Sequence, residues 1–342
     1  MSWETRSLID IANVSTGKWD ANHAEEKGKY RFYTCARKHL FSNTKRFSGE
    51  CLILPGNGAN VGDVYYYEGE FDAYQRTYVI SDIKILPRFL MYHMLLNWRA
   101  KNEKKQYGSA TNFIKIGNFK EYLVSYPPLS VQKQIVEKLD AAFAVIEKAI
   151  NATEKNIQNA EAFFKCILQK YFASPKEDWL KGNIGGFCTL KSGHTLKPKY
   201  ELDKGELPYL KVADMNLPLN KEIITMSSRY VNTRDVGEKG IIPEGSVIFP
   251  KRGGAIKTNK KRLTAAPITA DLNIMSVQPN ASILPKFLFF YFLNIDMREL
   301  GSGSSIPQIN NYDISPLPIS FPVSLKKQEE ICRNIEQIQS NT

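Results

Sequence analysis

Between Lys251 and Arg262 the chain carries six basic residues, Lys251, Arg252, Lys257, Lys260, Lys261 and Arg262, and no acidic one. Long cations neutralise phosphates, and arginine also reads guanine edges. Asn259 lies among them, and asparagine or glutamine can pair with an adenine edge. Gly253 and Gly254 let the backbone come close to a bulky partner. An earlier stretch offers related groups: Asn57 and Asn60, then Gln75 and Arg76, with Arg37, Lys38, Lys45 and Arg46 upstream. Each cation taken singly also fits an ordinary solubilising side chain. The clustering is what points to a polyanion.

Catalytic signatures are weak by comparison. No G-x-x-x-x-G-K-[ST] loop occurs. Gly56, Gly58 and Gly62 approach a dinucleotide fingerprint, but the spacing is one residue too long and an aromatic strand pattern follows where a helix is needed. A tight hairpin or loop accounts for them. A DNA methyltransferase would want Asn or Asp before Pro-Pro-Tyr, and Tyr126-Pro127-Pro128-Leu129 lacks both ends of that motif. Asp20, Glu25 and Lys27 could be stretched into a nuclease set, yet they lie in a polar loop with no strand to present them.

The formal charge of +11 and a pI near 9.2 create a field that attracts polyanions and is screened by salt. Five cysteines, Cys35, Cys51, Cys166, Cys188 and Cys332, are scattered without a C-x-x-C pair and read as reduced thiols. His23, His39, His93 and His194 are equally dispersed, so no local zinc spacing forms. Met1 to Asp10 carries Glu4, Arg6 and Asp10 and no apolar signal region. The longest dense apolar run, Phe287 to Ile295, is less than half of a membrane span. The expectation is a cytoplasmic protein with no membrane segment and no cofactor or metal of its own.

Positioning such loops requires a frame, and the frame is organised around residues 129–172. There Ile135, Leu139, Ala142, Ile146, Ala149, Thr153, Ala160, Ile167 and Tyr171 recur at steps of three, four or seven. Val136, Phe143, Ile150, Ile157, Phe164 and Tyr171 make a second stripe every seven residues. Together they predict a helix with a broad apolar seam. Pro127 and Pro128 stop helix before it, Ser130 can cap it, and Ser174 with Pro175 ends it. Its 44 residues would form a rod of roughly 66 Å, better suited to a spacer than to a domain core.

The flanking regions repeat. Trp179, Ile184, Phe187 and Gly193 stand 176 positions beyond Trp3, Leu8, Ile11 and Gly17. Leu54-Pro55 is answered by Phe249-Pro250, Gly58 by Gly253, and Gly108-Ser109 by Gly303-Ser304. Ile85-Leu86-Pro87-Arg88-Phe89-Leu90 returns as Ile283-Leu284-Pro285-Lys286-Phe287-Leu288, 198 positions on. Gln132 and Ile135 return as Gln328 and Ile331. The drift in offset fits loop insertions between fixed elements, and the order implies a tandem duplication. The predicted fold is α+β: one recognition domain over residues 1–128, a central helix over 129–174, a second domain over 175–323, and a second helix starting at 324 and cut short by 342. In the first domain, strands are predicted over Tyr30–Cys35, Glu50–Leu54, Val61–Tyr67 and Gln75–Ile80. Pro87 opens a helix from Arg88 to about Lys105 with Phe89, Tyr92, His93 and Leu96 on one face.

Domain, helix, domain, helix, with Tyr126-Pro127-Pro128-Leu129-x-x-Gln132-x-x-Ile135-Val136-x-x-Leu139 and Gly301-Ser302-Gly303-Ser304-Ser305-Ile306-Pro307-Gln308-Ile309, resembles the specificity subunit of type I restriction-modification enzymes. The resemblance implies a non-catalytic chain whose two target recognition domains each read half of a split double-stranded DNA sequence. It implies that the helix sets the gap and docks two methyltransferase subunits, with Ile135, Leu139, Phe143, Ile146, Ile150, Ile157 and Phe164 on the docking face. S-adenosylmethionine would belong to those subunits, and ATP and magnesium to restriction subunits. Lys251, Arg252, Lys257, Asn259, Lys260, Lys261 and Arg262 would face DNA in the second domain; Asn57, Asn60, Gln75, Arg76, Arg37 and Lys38 would do so in the first. The short second helix departs from the family pattern and would leave the seam of the first to a methyltransferase subunit or to a second copy. Three other readings stay open at this stage: a recognition subunit of another defence or methylation system, a methyltransferase or nuclease with an unrecognised catalytic part, and a coiled-coil adaptor.

Overall fold

The computed structural model describes residues 2–103, 112–172, 177–301 and 306–340. Ser174 and Pro175, and the paired Gly108-Ser109 and Gly303-Ser304, lie outside the described residues. The chain divides into two compact units, Met1–Ala152 and Thr153–Thr342.

The first unit runs β1 (Glu4–Ser7), α1 (Leu8–Ile11), β2 (Asn13–Thr16), β3 (Tyr30–Tyr33), β4 (Leu40–Ser42), β5 (Glu50–Pro55), β6 (Tyr65–Glu68), β7 (Phe71–Ala73), β8 (Thr77–Ser81), α2 (Pro87–Asn102), α3 (Ile116–Lys120) and β9 (Leu123–Tyr126). The 44-residue helix α4 (Leu129–Phe172) follows and crosses the boundary between the units. The second unit continues β10 (Trp179–Asn183), α5 (Ile184–Phe187), β11 (Cys188–Ser192), β12 (Leu207–Leu210), β13 (Ile223–Ile224), β14 (Tyr230–Val231), α6 (Thr233–Val236), β15 (Val247–Pro250), β16 (Arg262–Thr264), β17 (Thr269–Ala270), β18 (Ile274–Pro279), α7 (Pro285–Asn294), α8 (Asn311–Ile314), β19 (Pro318–Pro322) and α9 (Leu325–Ser340).

The two units share one topology. Strand order β2-β8-β5-β6 in the first becomes β11-β18-β15-β16 in the second, where β13 extends the edge. The sheet β4-β3-β7 becomes β14-β12-β17, and in each the centre strand pairs parallel with the last. The pair β1-β9 becomes β10-β19. Register is kept as well: Leu52 faces Ile80 and Pro55 faces Thr77, as Val247 faces Val277 and Pro250 faces Ile274.

The central strands explain why these sheets hold. In β5, Leu52 and Leu54 point into one core with Phe89, Leu90, Met94 and Trp98, while Cys51 and Ile53 point into another with Phe71 and Val79. A strand buried on both faces reads as a continuous apolar run, and Cys51 to Pro55 is one. In β15, Val247 and Phe249 join one cluster and Ile248 the other, for the same reason.

Some local expectations shift. The strand expected over Val61–Tyr67 is confined to Tyr65–Glu68, because a turn precedes it at Gly62, held at φ +103°. Helix α2 buries Phe89, Leu90, Met94 and Trp98, whereas Leu96 is 79% exposed and Tyr92 and His93 are half-buried. The four-residue steps from Leu90 through Met94 to Trp98 set the buried face, and Leu96 lies about 200° from Met94. Ser130 is inside the first turn of α4 and does not cap it; the carbonyl of Pro128 already accepts from the amides of Val131 and Gln132.

Each helix is rooted in its own domain by a buried glutamine. Gln132 accepts from the Leu86 amide at 2.9 Å and donates to the Pro127 carbonyl at 2.8 Å. Gln328 accepts from the Leu284 amide at 2.8 Å and donates to the carbonyls of Ser282 and Pro322. About two turns further on, Asp140 pairs with Arg88 and accepts from the Tyr92 hydroxyl, both at 2.5 Å, and Glu336 pairs with Lys286. Gln132→Leu leaves a buried amide and a buried carbonyl unpaired, at roughly 1–3 kcal/mol each. Denaturant unfolding of the full chain is expected to show the first domain destabilised by about 2–6 kcal/mol, and a loss below about 1 kcal/mol would refute this role.

Candidate DNA-reading clefts

The end of β5 makes a small scaffold. The Gly56 amide donates to the Arg76 carbonyl at 2.9 Å, and the Gly56 carbonyl accepts from Ile114 at 2.9 Å. Asn57 bridges Phe113, and the Gly58 amide donates to the Asn112 carbonyl at 2.8 Å with Gly58 at φ +87°. A Cβ on Gly56 would sit 2.2 Å from the Arg76 oxygen, so in this domain the two segments meet too closely for a side chain at that position. Together they frame a cleft of about 340 Å³ lined by Thr16, Asn57, Gln75, Arg76, Tyr78 and Phe113, with Gly56 and Ile114 at its floor. Gln75 and Arg76 are exposed, and no hydrogen bond or ion pair ties either side chain to another described residue. An amide donor-acceptor pair, a guanidinium and aromatic walls are the groups that read base edges.

The second domain repeats the scaffold bond for bond. The Lys251 amide donates to the Asn273 carbonyl, the Lys251 carbonyl accepts from Ile309, and the Gly253 amide donates to the Pro307 carbonyl, each at 2.8 Å. Arg252 bridges Gln308, and Gly253 has φ +70°. Where the first domain places Asn57 against Phe113, the second places Arg252 against Gln308. The Lys251 ammonium donates to the Ser192 hydroxyl at 2.8 Å, and burial followed by the charge of Arg252 lowers its pKa. Gln308 donates to Asn310 at 2.6 Å, and Asn310 to the exposed Tyr312 hydroxyl at 2.8 Å. Phe113 and Gln308 were missed by reading clusters of charge. The signal was present in Phe113-Ile114 and Gln308-Ile309, which keep the offset of Pro55 and Pro250.

The basic run does not act as one cluster. Arg252 and Lys257 are exposed, and Lys260 is half-buried beside Asn216. Lys261 is 2% exposed and donates to Asn259 at 2.7 Å and to the Ile295 carbonyl at 2.6 Å. Asn259 itself sits at φ +53° and accepts from the Met297 amide at 2.9 Å. The Arg262 guanidinium donates to the carbonyls of Asn220, Lys261 and Met215. Asn259, Lys261 and Arg262 therefore spend most of their polar groups on internal hydrogen bonds. In the first domain Asn60 is likewise committed to the Cys35 carbonyl at 2.8 Å, and Arg37 pairs with Asp63 at 3.4 Å while staying exposed like Lys38.

The seam of α4 also divides. Ile135 and Leu139 are half-buried, Ile135 against the first core, and Phe164 packs against the second. Phe143, stacked on Tyr92 at 5.5 Å, is still 50% exposed, and Ile146, Ile150 and Ile157 are 51%, 53% and 55% exposed.

Two copies of one α+β framework, each carrying the same hydrogen-bonded scaffold with different side chains on it, define a duplicated recognition protein. A family model described as the type I restriction modification DNA specificity domain matches residues 1–156 and again 176–342, and the chain belongs to that family. It is 27% identical over 371 residues to the EcoDI specificity subunit of the type I restriction enzyme from Escherichia coli, spanning 99% of this chain and 81% of that protein. A chain from a type I R-M system, solved in a study of complex assembly and conformational transition, superposes with a TM-score of 0.76 at 14% identity, over 99% of this chain and 90% of the other. The HsdS subunit from Thermoanaerobacter tengcongensis gives a TM-score of 0.54 at 15% identity, over 99% and 89%. The chain is thus a specificity subunit, and such subunits leave catalysis to their partners. Among the described residues no helix is long and apolar enough to cross a membrane.

Burial lowers the Lys261 pKa to about 8. The unfolded chain keeps that proton up to about 10.5 while the folded chain releases it near 8, so the unfolded state binds more protons between those values and stability rises with pH across that window. Lys261→Met is expected to remove about 2–4 kcal/mol of this rise and to change DNA affinity less than about twofold, whereas Arg252→Ala weakens DNA binding roughly tenfold. Unfolding between pH 7.5 and 10.5, beside DNA titrations, checks both; a large affinity loss in Lys261→Met would return that side chain to the DNA face.

Proposed function

We propose that the chain reads a bipartite target in double-stranded DNA, the first domain through the cleft of Asn57, Gln75 and Arg76 and the second through Lys251, Arg252 and Gln308. The observation that carries this reading is the recurrence of one hydrogen-bonded scaffold with different side chains on it. A fixed backbone with exchanged polar groups suits two half-sites of different sequence. The net charge of +11 supplies long-range attraction to DNA. Lys257 and Lys38 fit phosphate contacts, which position without specifying.

Helix α4 acts as the spacer between half-sites, and its exposed residues Phe143, Ile146, Ile150 and Ile157 take two methyltransferase subunits. Restriction subunits join the same complex. S-adenosylmethionine, ATP and magnesium belong to those partners, and the assembly works in the cytoplasm. A second copy of this chain covering the same apolar face is the other outcome that the exposure favours.

Long-read mapping of methylated adenines, in cells carrying this chain with its methyltransferase, is expected to show one split motif with an unread middle. Continuous motifs would refute the bipartite reading. Inserting or deleting four residues near Asn151 is expected to change the preferred gap and leave both half-sites unchanged. Methylation of libraries that vary only the gap measures this, and an unaltered gap preference would exclude α4 as the spacer.

A further inference from the structure

Trp19 is 42% exposed, yet it is held on an edge and on one face. Its indole N–H donates to Asp72 at 3.1 Å, and its ring stacks on His23 with centroids 4.2 Å apart and planes at 7°. His23 is fixed in turn by the Thr44 hydroxyl at 2.9 Å, and Thr44 donates to the same Asp72 oxygen at 2.7 Å. Asp72 is 1% exposed on the buried strand β7, and Phe32 closes the far side of His23 edge-on. A buried carboxylate and an imidazole, themselves linked through one hydroxyl, thus hold one indole and leave its outer face to solvent.

The platform stands beside the first cleft. Trp19 bridges Tyr74 in parallel, and its carbonyl accepts from the Gln75 amide at 2.8 Å. Gly17 makes that possible, since a Cβ there would lie 1.7 Å from the Ala73 oxygen. Lys18 is exposed next to it. A rigid aromatic face among a lysine, an amide and the Arg76 guanidinium matches a major-groove edge, where the one apolar group is the thymine C5 methyl. Gly193 occupies the position of Gly17, with a Cβ there 2.2 Å from the Asp271 oxygen, but two residues on the second domain has Thr195. The platform has no aromatic counterpart at that position.

We propose that Trp19 is a specificity residue of the first half-site alone, packing its free indole face on a thymine methyl, with His23, Thr44 and Asp72 as positioning residues. The proposal rests on the reading that the first domain binds duplex DNA. The test titrates the full chain with a duplex carrying the mapped motif, with duplexes in which either half-site is scrambled, and with duplexes in which each thymine is replaced by uracil. The unaltered chain should lose roughly tenfold at one thymine-to-uracil position. Trp19→Ala should bind the intact motif roughly tenfold more weakly and be indifferent to that replacement. Trp19→Phe, which keeps an aromatic face, should retain part of the sensitivity. Asp72→Asn should blunt the response at the same position and shift the tryptophan emission of the free protein, with recognition of the other half-site intact. Equal uracil sensitivity in the unaltered chain and Trp19→Ala, or affinity within twofold, overturns the assignment of Trp19 while the bipartite reading stands. No preference for the mapped motif over both scrambled duplexes overturns that reading as well.

Discussion

The buried glutamines at the roots of the helices are the constraint from which the rest follows. Gln132 joins three pieces of the first domain: the amide of Leu86 that opens α2, the carbonyl of Pro127 that closes the last strand, and the first turn of α4. A primary amide is suited to this because it donates and accepts within one plane, and a carboxylate or ammonium can do only one of the two. With those groups paired, the direction in which the helix leaves its domain is set by hydrogen bonds as well as by the packing of Val136. Gln328 repeats the arrangement with Leu284 and Pro322, although the ion pair beyond it changes from Arg88 and Asp140 to Lys286 and Glu336. The amide, which is buried, stays the same in both copies; the charges, which are partly exposed and worth less, differ.

The same division between backbone and side chain governs the clefts. Gly56 and Lys251 are different residues, yet each donates its amide to the segment on one side and offers its carbonyl to the segment on the other. Backbone groups make these bonds whatever side chain is attached, so Asn57 can stand where Arg252 stands, and Phe113 where Gln308 does. Both copies keep glycine where the chain crosses another backbone, at Gly17 and Gly193, and where it turns through positive φ, at Gly58 and Gly253. Those four positions are among the places where the two halves of the sequence agree.

This division explains what could be read in the sequence. The duplication was legible because proline, glycine and the buried glutamines mark backbone geometry, and geometry is what the copies share. The helix was legible because its seam recurs over forty-four residues. The site was legible only in part. Counting charge between Lys251 and Arg262 gave Lys261 and Arg262 the same weight as Arg252, but charge count carries no information on burial. Lys261 lies at the mouth of β16 and turns inward to cap the Ile295 carbonyl. Asn259 looked like a base reader and serves as the left-handed residue that closes a 3-10 turn. Phe113 and Gln308 were invisible to the same count because neither is charged.

The middle of α4 poses a separate physical question. From Ala141 to Asn159 every residue is exposed, and the first domain packs on that stretch near its start, where Phe143 stacks on Tyr92. A free peptide of this length would be marginal in water because nucleation is costly. Here both ends are fixed by tertiary contacts, Ile135 and Val136 at one and Phe164 and Leu168 at the other, and the helix has only to propagate between them. The alanines at 141, 142, 144, 149 and 152 favour propagation, and no glycine or proline interrupts it. Phe143, Ile146, Ile150 and Ile157, by contrast, add nothing to an isolated helix that alanine would not, and their half-exposed side chains carry a hydration cost that burial would relieve, at roughly 1 kcal/mol for each remaining half. Alanine supplies the helix; the docking proposed for this face would give the large apolar residues the covering surface that recovers what their exposure costs.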